Sequence, residues 1–277
     1  MSGGGGEANL APDLPWERVL LSVIVPVFDE AATVERVLRT IRELPIRTEI
    51  IAVDDGSTDG TAEQLERLER EGVVDRVVVH VRNRGKGAAV RAGFLKASGD
   101  IVAVQDADLE YDPNELPLLM APILRGWADA VFGSRFLGGP RRVHLFSHRL
   151  GNQVLTFVSN LLTGFDLSDM ETCYKVIRRD LLETLPLTRN RFGIEPEITA
   201  RLSQAGARVY EVPISYRGRS YADGKKISWR DGPPALWHIL RCNLLPPRAP
   251  RWTPPQVNPW SRSAGPDVPS SPDRQEG

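Results

Sequence analysis

Positions 101–110 carry the sequence IVAVQDADLE, in which an apolar run is followed at once by three carboxylates. The run from Ile101 to Val104 predicts a buried β-strand, because it is short, continuous and rich in branched side chains. Asp106, Asp108 and Glu110 then follow the C-terminal end of the strand, which is where open α/β sheets bind ligands. Carboxylates this close together repel each other, and a divalent cation that also holds a diphosphate would offset the repulsion. A solvated acidic turn that caps the next helix explains the same residues equally well.

The sequence on both sides alternates strand and helix patterns. We predict strands at 20–27, 49–53, 76–81, 101–105, 128–132, 173–177 and 208–213, and helices at 30–44, 61–70, 86–97, 147–163, 195–204 and 231–245. Consecutive strand–helix units with short loops favour a parallel sheet with right-handed crossovers. The predicted fold class is therefore α/β, with a mostly parallel sheet flanked by helices.

Composition predicts one domain with two tails. A chain of 277 residues with 41% hydrophobic content can bury a full core. Residues 1–18 and 247–277 lack a hydrophobic period and are predicted to be disordered, which leaves 19–246 as the domain. The net charge of -1 provides no field that would attract nucleic acid. Cys173 and Cys242 lie far apart, and no signal-peptide pattern precedes the first strand, so we expect a cytoplasmic, reducing setting.

Each of the first four predicted strands ends in a polar cluster. The clusters are PVFDE at 26–30, DDGSTDG at 54–60, NRGKG at 83–87 and the carboxylates after position 105. Each cluster alone resembles an ordinary turn or helix cap. In a parallel sheet, however, all four lie at one edge, so a shared ligand is the better interpretation. The Gly-Lys-Gly at 85–87 suits a phosphate, while the Walker and dinucleotide glycine patterns are absent.

This ordered set of motifs resembles a known family. Together with GSRF at 133–136, the clusters are similar to the inverting family 2 glycosyltransferases of GT-A fold, and more narrowly to the dolichyl- or polyprenyl-phosphate glucose and mannose synthases. The resemblance covers about residues 20–245. It implies a nucleotide-sugar half at 19–112 and an acceptor half at 113–246. It also implies transfer of a hexose from UDP-glucose or GDP-mannose to a polyprenyl phosphate, with Mg²⁺ or Mn²⁺ as cofactor.

The resemblance assigns roles to individual residues. Asp108 would bind the metal with Glu110 as a further ligand, and Asp106, Asp108 and Arg135 would form the catalytic group. Arg135 and Arg149 would grip the acceptor phosphate, for which an arginine fork is well suited. The donor-binding residues implied are Pro26, Phe28 and Glu30 around the nucleobase, Asp54 or Asp55 at base or ribose, Lys86 near the base, Asp106 and Ala107 at ribose or sugar, and Arg219 and Lys225 over the diphosphate.

The resemblance also implies partners and a location. A lipid acceptor predicts that the protein works at the cytosolic face of a membrane without crossing it, since no apolar run approaches the roughly 20 residues of a spanning helix. The helix at 231–245 is the candidate membrane contact, although its apolar stripe fits core packing or self-association as well. No nucleic-acid partner is expected.

Three alternatives remain open on the sequence alone. A phosphate acceptor needs no strong general base, whereas a sugar hydroxyl acceptor would require one, with Asp169 or Glu171 as candidates. A nucleotidyltransferase also combines an α/β sheet with metal-binding aspartates, but it usually has a Gly-rich basic loop after its first strand. A non-enzymatic nucleotide-binding module would have little use for the acceptor-side arginines.

Overall fold

The computed structural model describes residues 10–138, 146–219 and 232–260, with the backbone alone at 146–148. Seven strands and eight α-helices lie within these ranges. The strands are β1 (Leu20–Val27), β2 (Arg47–Asp54), β3 (Arg76–Val79), β4 (Ile101–Val104), β5 (Ala130–Ser134), β6 (Lys175–Arg178) and β7 (Val209–Pro213). The helices are α1 (Val34–Arg42), α2 (Thr61–Arg70), α3 (Lys86–Phe94), α4 (Leu116–Leu124), α5 (Phe146–Thr163), α6 (Arg179–Leu182), α7 (Ile194–Ala205) and α8 (Gly232–Leu244).

The strands form one mixed sheet in the order β3-β2-β1-β4-β6-β5-β7. The pairs β1–β2, β1–β4, β2–β3 and β5–β7 are parallel, and β6 runs antiparallel to both neighbours, β4 and β5. The central strands are apolar and buried, as expected for a mostly parallel sheet with helices on both faces. The predicted α/β class is confirmed.

The direction of β6 determines what lies beside the carboxylate motif. Ala103 pairs with Val176 and Ile101 with Arg178, so β6 begins where β4 ends. The loop before β6 therefore reaches the C-terminal edge of the sheet, next to the loops that follow β1, β2 and β4. Its Tyr174 donates a hydrogen bond from its hydroxyl group to the side-chain oxygen of Gln105, which directly follows β4.

Parts of the two predicted tails are packed against the domain, which corrects the prediction of disorder for residues 10–18 and 247–260. Trp16 is buried, and its indole N–H donates to the carbonyl of Ala11 over 2.9 Å. Trp260 is also buried, and the guanidinium of Arg178 lies 4.6 Å from its ring centroid. Single tryptophans bury a large apolar area without any sequence period, which is why the pattern did not reveal them. Residues 1–9 and 261–277 lie outside the described residues.

Helix α8 divides its apolar side chains between the core and the surface. Ile239 and Cys242 are buried, whereas Trp237 is 58% exposed and Leu244 57% exposed. The predicted apolar stripe is therefore partly core, and membrane contact through this helix stays a prediction. No helix within residues 10–138, 146–219 and 232–260 has both the length and the apolar character needed to span a bilayer.

Candidate active site

Hydrogen bonds join the four predicted loops into one surface at the edge of the sheet. Asp29 accepts from the backbone N–H of Thr58 over 2.7 Å, which connects the loop after β1 to the loop after β2. Thr33 donates to the carbonyl of Ala107 over 2.7 Å, which connects the first loop to the carboxylate motif. The ammonium of Lys86 lies 2.8 Å from a carboxylate oxygen of Asp106, which connects the third loop to the fourth. The structure therefore brings together the residues that the motif order predicted.

Asp54 and Asp55 stabilise these loops by accepting hydrogen bonds from the backbone. Both are buried. Asp54 accepts from the backbone N–H of Ser57 over 3.1 Å, and Asp55 accepts from the backbone N–H groups of Arg84 and Gly85 over 3.0 and 2.6 Å. The carboxylate of Asp55 thus occupies the backbone N–H of Gly85, one of the groups that the sequence suggested for a phosphate. Direct contact of either aspartate with a base or ribose stays a prediction.

The glycines of the third loop are required by packing. A Cβ atom at Gly87 would lie 2.6 Å from the carbonyl oxygen of Arg189, and Gly85 adopts φ +92°, a left-handed conformation that favours glycine. The start of α3 therefore lies directly against the loop at 189–191. This close approach brings the start of α7 towards Lys86.

Pro26, Phe28 and Glu30 lie half-buried at the edge of the sheet, as expected for the sides of a ligand site. Arg219 connects this loop to the carboxylate motif. Its guanidinium donates to Glu30 over 2.8 Å and to the backbone carbonyl of Asp108 over 2.7 Å. The predicted donor residue Arg219 is therefore in the site, and Lys225 lies outside the described residues.

The charge of Asp108 is poorly compensated by its surroundings. Burial, together with the negative charges of Asp106 and Glu110, raises the pKa of Asp108 to about 7. Leu109 adopts φ +61°, and the tight turn lets a side-chain oxygen of Asp108 accept from the backbone N–H of Glu110 over 3.0 Å. A group in this state gains most when a cation binds beside it.

The donor set fits a divalent cation that is shared with a diphosphate. Within the described ranges, no group of three or more His, Cys, Asp or Glu side chains is arranged to hold a metal ion. Mg²⁺ does not need one, because it typically uses one or two carboxylates and takes its other ligands from phosphate and water. Asp108 suits this role. Glu110 suits it less well, since its oxygens accept from the Tyr216 hydroxyl and the Arg219 backbone N–H, each over 2.6 Å.

Arg135 and Arg149 occupy different environments. The guanidinium of Arg135 pairs with the buried carboxylate of Asp169 through two hydrogen bonds of 2.6 and 2.7 Å. Arg135 also approaches Asn152 of α5, over 3.5 Å, and lies 5.1 Å from the ring centroid of Tyr216. Arg149 is exposed one turn before Asn152 on the same helix. Asp169 therefore orients Arg135, whereas Arg149 is exposed to solvent.

Two residues near the site were not predicted. Tyr216 links Arg135 to Glu110, and Glu195, at the start of α7, lies 3.3 Å from the ammonium of Lys86. The charges of Asp106 and Glu195 outweigh the effect of burial and hold the pKa of Lys86 well above its usual value, so this lysine stays charged. Neither residue belongs to a local motif, and only the fold brings them to the loops.

Solved structures share this fold. Glucosyl-3-phosphoglycerate synthase from Mycobacterium tuberculosis, in complex with Mn²⁺, UDP and glucosyl-3-phosphoglycerate, superimposes with a TM-score of 0.63 at 23% identity, covering 83% of this chain and 81% of that chain. The same enzyme in complex with phosphoglyceric acid gives a TM-score of 0.64 at 24% identity. At this identity the likeness shows the fold alone, and it confirms the predicted GT-A architecture.

Two proteins related in sequence carry the names of polyprenyl-phosphate sugar transferases. A dodecaprenyl-phosphate galacturonate synthase of Rhizobium johnstonii is 30% identical over 216 residues, which are 76% of this chain and 63% of the relative. An undecaprenyl-phosphate mannosyltransferase of Micrococcus luteus is 27% identical over 238 residues, which are 80% of this chain and 97% of the relative. The chain thus spans less than two thirds of the first relative and nearly the whole of the second.

The sequence model of the family described as Glycosyl transferase family 2 matches residues 22–185, which is more than half of the chain. This match runs from within β1 to beyond α6 and includes all four loops and the Arg135–Asp169 pair. It confirms the resemblance that the ordered motifs predicted. The chain belongs to glycosyl transferase family 2.

Proposed function

We propose that this protein transfers a hexose from a nucleoside-diphosphate sugar, UDP-glucose or GDP-mannose, to a polyprenyl phosphate with inversion at the sugar carbon. The observation that carries the proposal is the joining of four loops around Asp108, whose raised pKa marks a place for added positive charge. The names of the two relatives, both polyprenyl-phosphate sugar transferases, support the acceptor class.

The reaction would be a single displacement. An oxygen of the acceptor phosphate attacks C1 of the sugar, and the bond from C1 to the diphosphate oxygen breaks as the nucleoside diphosphate leaves with the electron pair. A phosphate monoester is largely dianionic near neutral pH, so no proton has to be removed from the nucleophile. The protein's contribution is then positioning and charge stabilisation.

Asp108 would hold the divalent cation, which supplies charge neutralisation for the leaving diphosphate. Asp106 is kept in place by Lys86 and would orient the ribose or the sugar. Arg219 spans the loops after β1 and β4, where it would offset negative charge on the donor. Arg135 would present its remaining N–H groups to the acceptor phosphate, in an orientation set by Asp169.

A hydroxyl acceptor is the second candidate, and one observation favours it. Burial and the charge of Glu195 raise the pKa of Glu171 to about 7, which suits a general base. Asp169 is a poor base, because its carboxylate is engaged by Arg135.

A panel of donors and acceptors tests the proposal. The 277-residue chain is incubated with Mn²⁺, UDP-glucose or GDP-mannose, and either a short polyprenyl phosphate or the corresponding polyprenol. We expect transfer to the phosphate alone, with loss of turnover on chelation. Transfer to the polyprenol, or to neither acceptor with any donor, would contradict the proposed function.

A further inference from the structure

Three buried polar atoms beside the donor loops have no hydrogen-bond partner among the described residues. They are Oε1 of Glu171, Oγ1 of Thr172 and Oε2 of Glu195. Thr172 is fully buried, and Glu195 is 6% exposed. A buried carboxylate oxygen without a donor costs free energy, and such groups in native proteins usually face a ligand or an ordered water.

Glu195 is connected to the carboxylate motif through Lys86, and Glu171 and Thr172 lie in the loop before β6. Glu195 shares the ammonium of Lys86 with Asp106, at 3.3 Å for Glu195 and 2.8 Å for Asp106. Glu171 and Thr172 precede β6, whose antiparallel pairing places its first residues beside the end of β4. Burial, together with the negative charge of Glu195, raises the pKa of Glu171 to about 7, so the two carboxylates are close enough to interact.

The nearby cations do not satisfy these oxygens. Lys175 is buried, and its ammonium donates to the carbonyls of Met170 and Thr172 over 2.9 and 2.5 Å. The guanidinium of Arg135 is directed at Asp169. The region therefore contains hydrogen-bond acceptors in excess of donors, and it carries negative charge. A ligand group that fits must donate hydrogen bonds and must not be an anion.

The hexose of a nucleotide sugar has this chemistry, because its hydroxyl groups donate hydrogen bonds and carry no charge. We propose that Glu171 and Glu195 line the subsite for the transferred sugar and select a neutral hexose over a hexuronate. The inference rests on the proposed function, since it requires a nucleotide-sugar donor at the loops. With a phosphate acceptor no general base is needed, and the inference then gives Glu171 a role in binding the sugar.

Selectivity follows from charge. A neutral hexose would bring hydroxyl donors to Glu171 and Glu195, whereas the carboxylate of a hexuronate would add a further anion close to both. Specificity of this kind arises from repulsion of the wrong ligand as well as attraction of the right one. Changing either glutamate to glutamine removes the charge and keeps the shape.

Calorimetry on the 277-residue chain with Mn²⁺ at pH 8, where Glu171 is largely ionised, tests the inference without depending on turnover. The probes are UDP and GDP, then, for the base that binds, the neutral conjugate (UDP-glucose or GDP-mannose) and the matching hexuronate conjugate. We expect the wild type to bind the neutral conjugate at least about tenfold more tightly than the hexuronate, the effect of one or two charged hydrogen bonds. Equal binding of the two conjugates by the wild type would overturn the inference.

The variants Glu171→Gln and Glu195→Gln should reduce the preference to within about threefold while binding the nucleoside diphosphate as the wild type does. Glu183→Gln is the matched control, because the Glu183 side chain is 61% exposed and distant from the loops, and it should keep the full preference. An unchanged preference in both folded variants would refute the sugar subsite alone. Absence of UDP and GDP binding in the wild type would refute the proposed function together with it.

Discussion

Residues 19–112, the proposed nucleotide-sugar half, and residues 113–246, the proposed acceptor half, differ in how their buried charges are compensated. In the first, Asp108 lies among other carboxylates, and its pKa is raised to about 7. In the second, Arg135 is matched by Asp169 through two short hydrogen bonds. The uncompensated charge of Asp108 lowers the free energy of unfolding until a cation binds. The Arg135–Asp169 pair is complete without a ligand and holds the arginine in one orientation. Removing the charge of Asp108 should therefore stabilise the metal-free protein, whereas removing the charge of Asp169 should destabilise it.

The largest effect is expected at Asp108. Asp108→Asn should lower turnover by about 10²–10³-fold, because the leaving diphosphate loses a charge-stabilising partner. The measurement is the initial rate of sugar transfer at saturating Mn²⁺. Asp112→Asn is the control, since Asp112 lies in the same acidic segment and accepts from the backbone N–H of Asn114 as a helix cap. Its turnover should be unchanged, and comparable rates in the two variants would remove the metal role from Asp108.

Breaking the acceptor-half pair should come next. Asp169→Asn leaves the Arg135 guanidinium uncompensated, so we expect a loss of about 3–5 kcal/mol in the free energy of unfolding. Turnover should fall by about 10–100-fold, with a raised KM for the acceptor, because Arg135 loses its orientation. Urea unfolding and steady-state kinetics measure the two effects.

The pair between Asp129 and Arg208, joined over 2.7 Å, is the comparison for Asp169, because it connects the starts of β5 and β7 away from the loops. Asp129→Asn should also lower stability while leaving the acceptor KM unchanged. An equal rise in KM for both variants would mean that Asp169 acts through general stability alone.

The pH dependence of stability separates the two halves further. The pKa of Asp108 is raised in the folded chain, so its contribution to stability is complete below the unfolded pKa near 3.8 and is lost as the pH rises through about 7. Without metal, Asp108→Asn should melt at the same temperature as the wild type near pH 3.8 and a few degrees higher at pH 8, at about 2–4 °C per kcal/mol. Melting curves of both proteins across this pH range, with and without Mn²⁺, measure the difference in melting temperature. If Asp108→Asn were less stable than the wild type at pH 8, the charge of Asp108 would not be repelled by Asp106 and Glu110 as we infer.

The smallest effect is expected at Arg149. Arg149→Ala should raise the acceptor KM by about threefold and leave the melting temperature unchanged, because an exposed charge contributes little to stability. Arg70→Ala, exposed at the end of α2, is the matched control. If Arg149→Ala matched this control in every kinetic constant, the acceptor phosphate would be assigned to Arg135 alone.

Local sequence patterns determined most of the nucleotide-sugar half. Strand β1 at Leu20–Val27 and helix α2 at Thr61–Arg70 have the predicted bounds, because their apolar periods and flanking turn residues are local signals. The four polar clusters could be placed at one edge for the same reason, since a parallel sheet brings the ends of its strands together.

Helix α4 was foreseen only as a helix that the acidic turn could cap, because its own sequence lacks those signals. Leu116–Leu124 contains Pro117 and Pro122 and is buried on nearly all sides, so it has neither an uninterrupted helical sequence nor an amphipathic stripe. The tryptophans that anchor residues 10–18 and 247–260 were missed because an isolated aromatic side chain carries no period.

By itself, the sequence determined the α/β class, the family and the loops that carry the chemistry, because these depend on residues close together in the chain. Tertiary structure alone decided the partners of those residues. The antiparallel direction of β6 brings Tyr174 to Gln105, and the packing of α3 against residues 189–191 brings Glu195 to Lys86. Both contacts join residues more than about 60 positions apart, and such pairings are set by how whole elements pack, which no local pattern encodes.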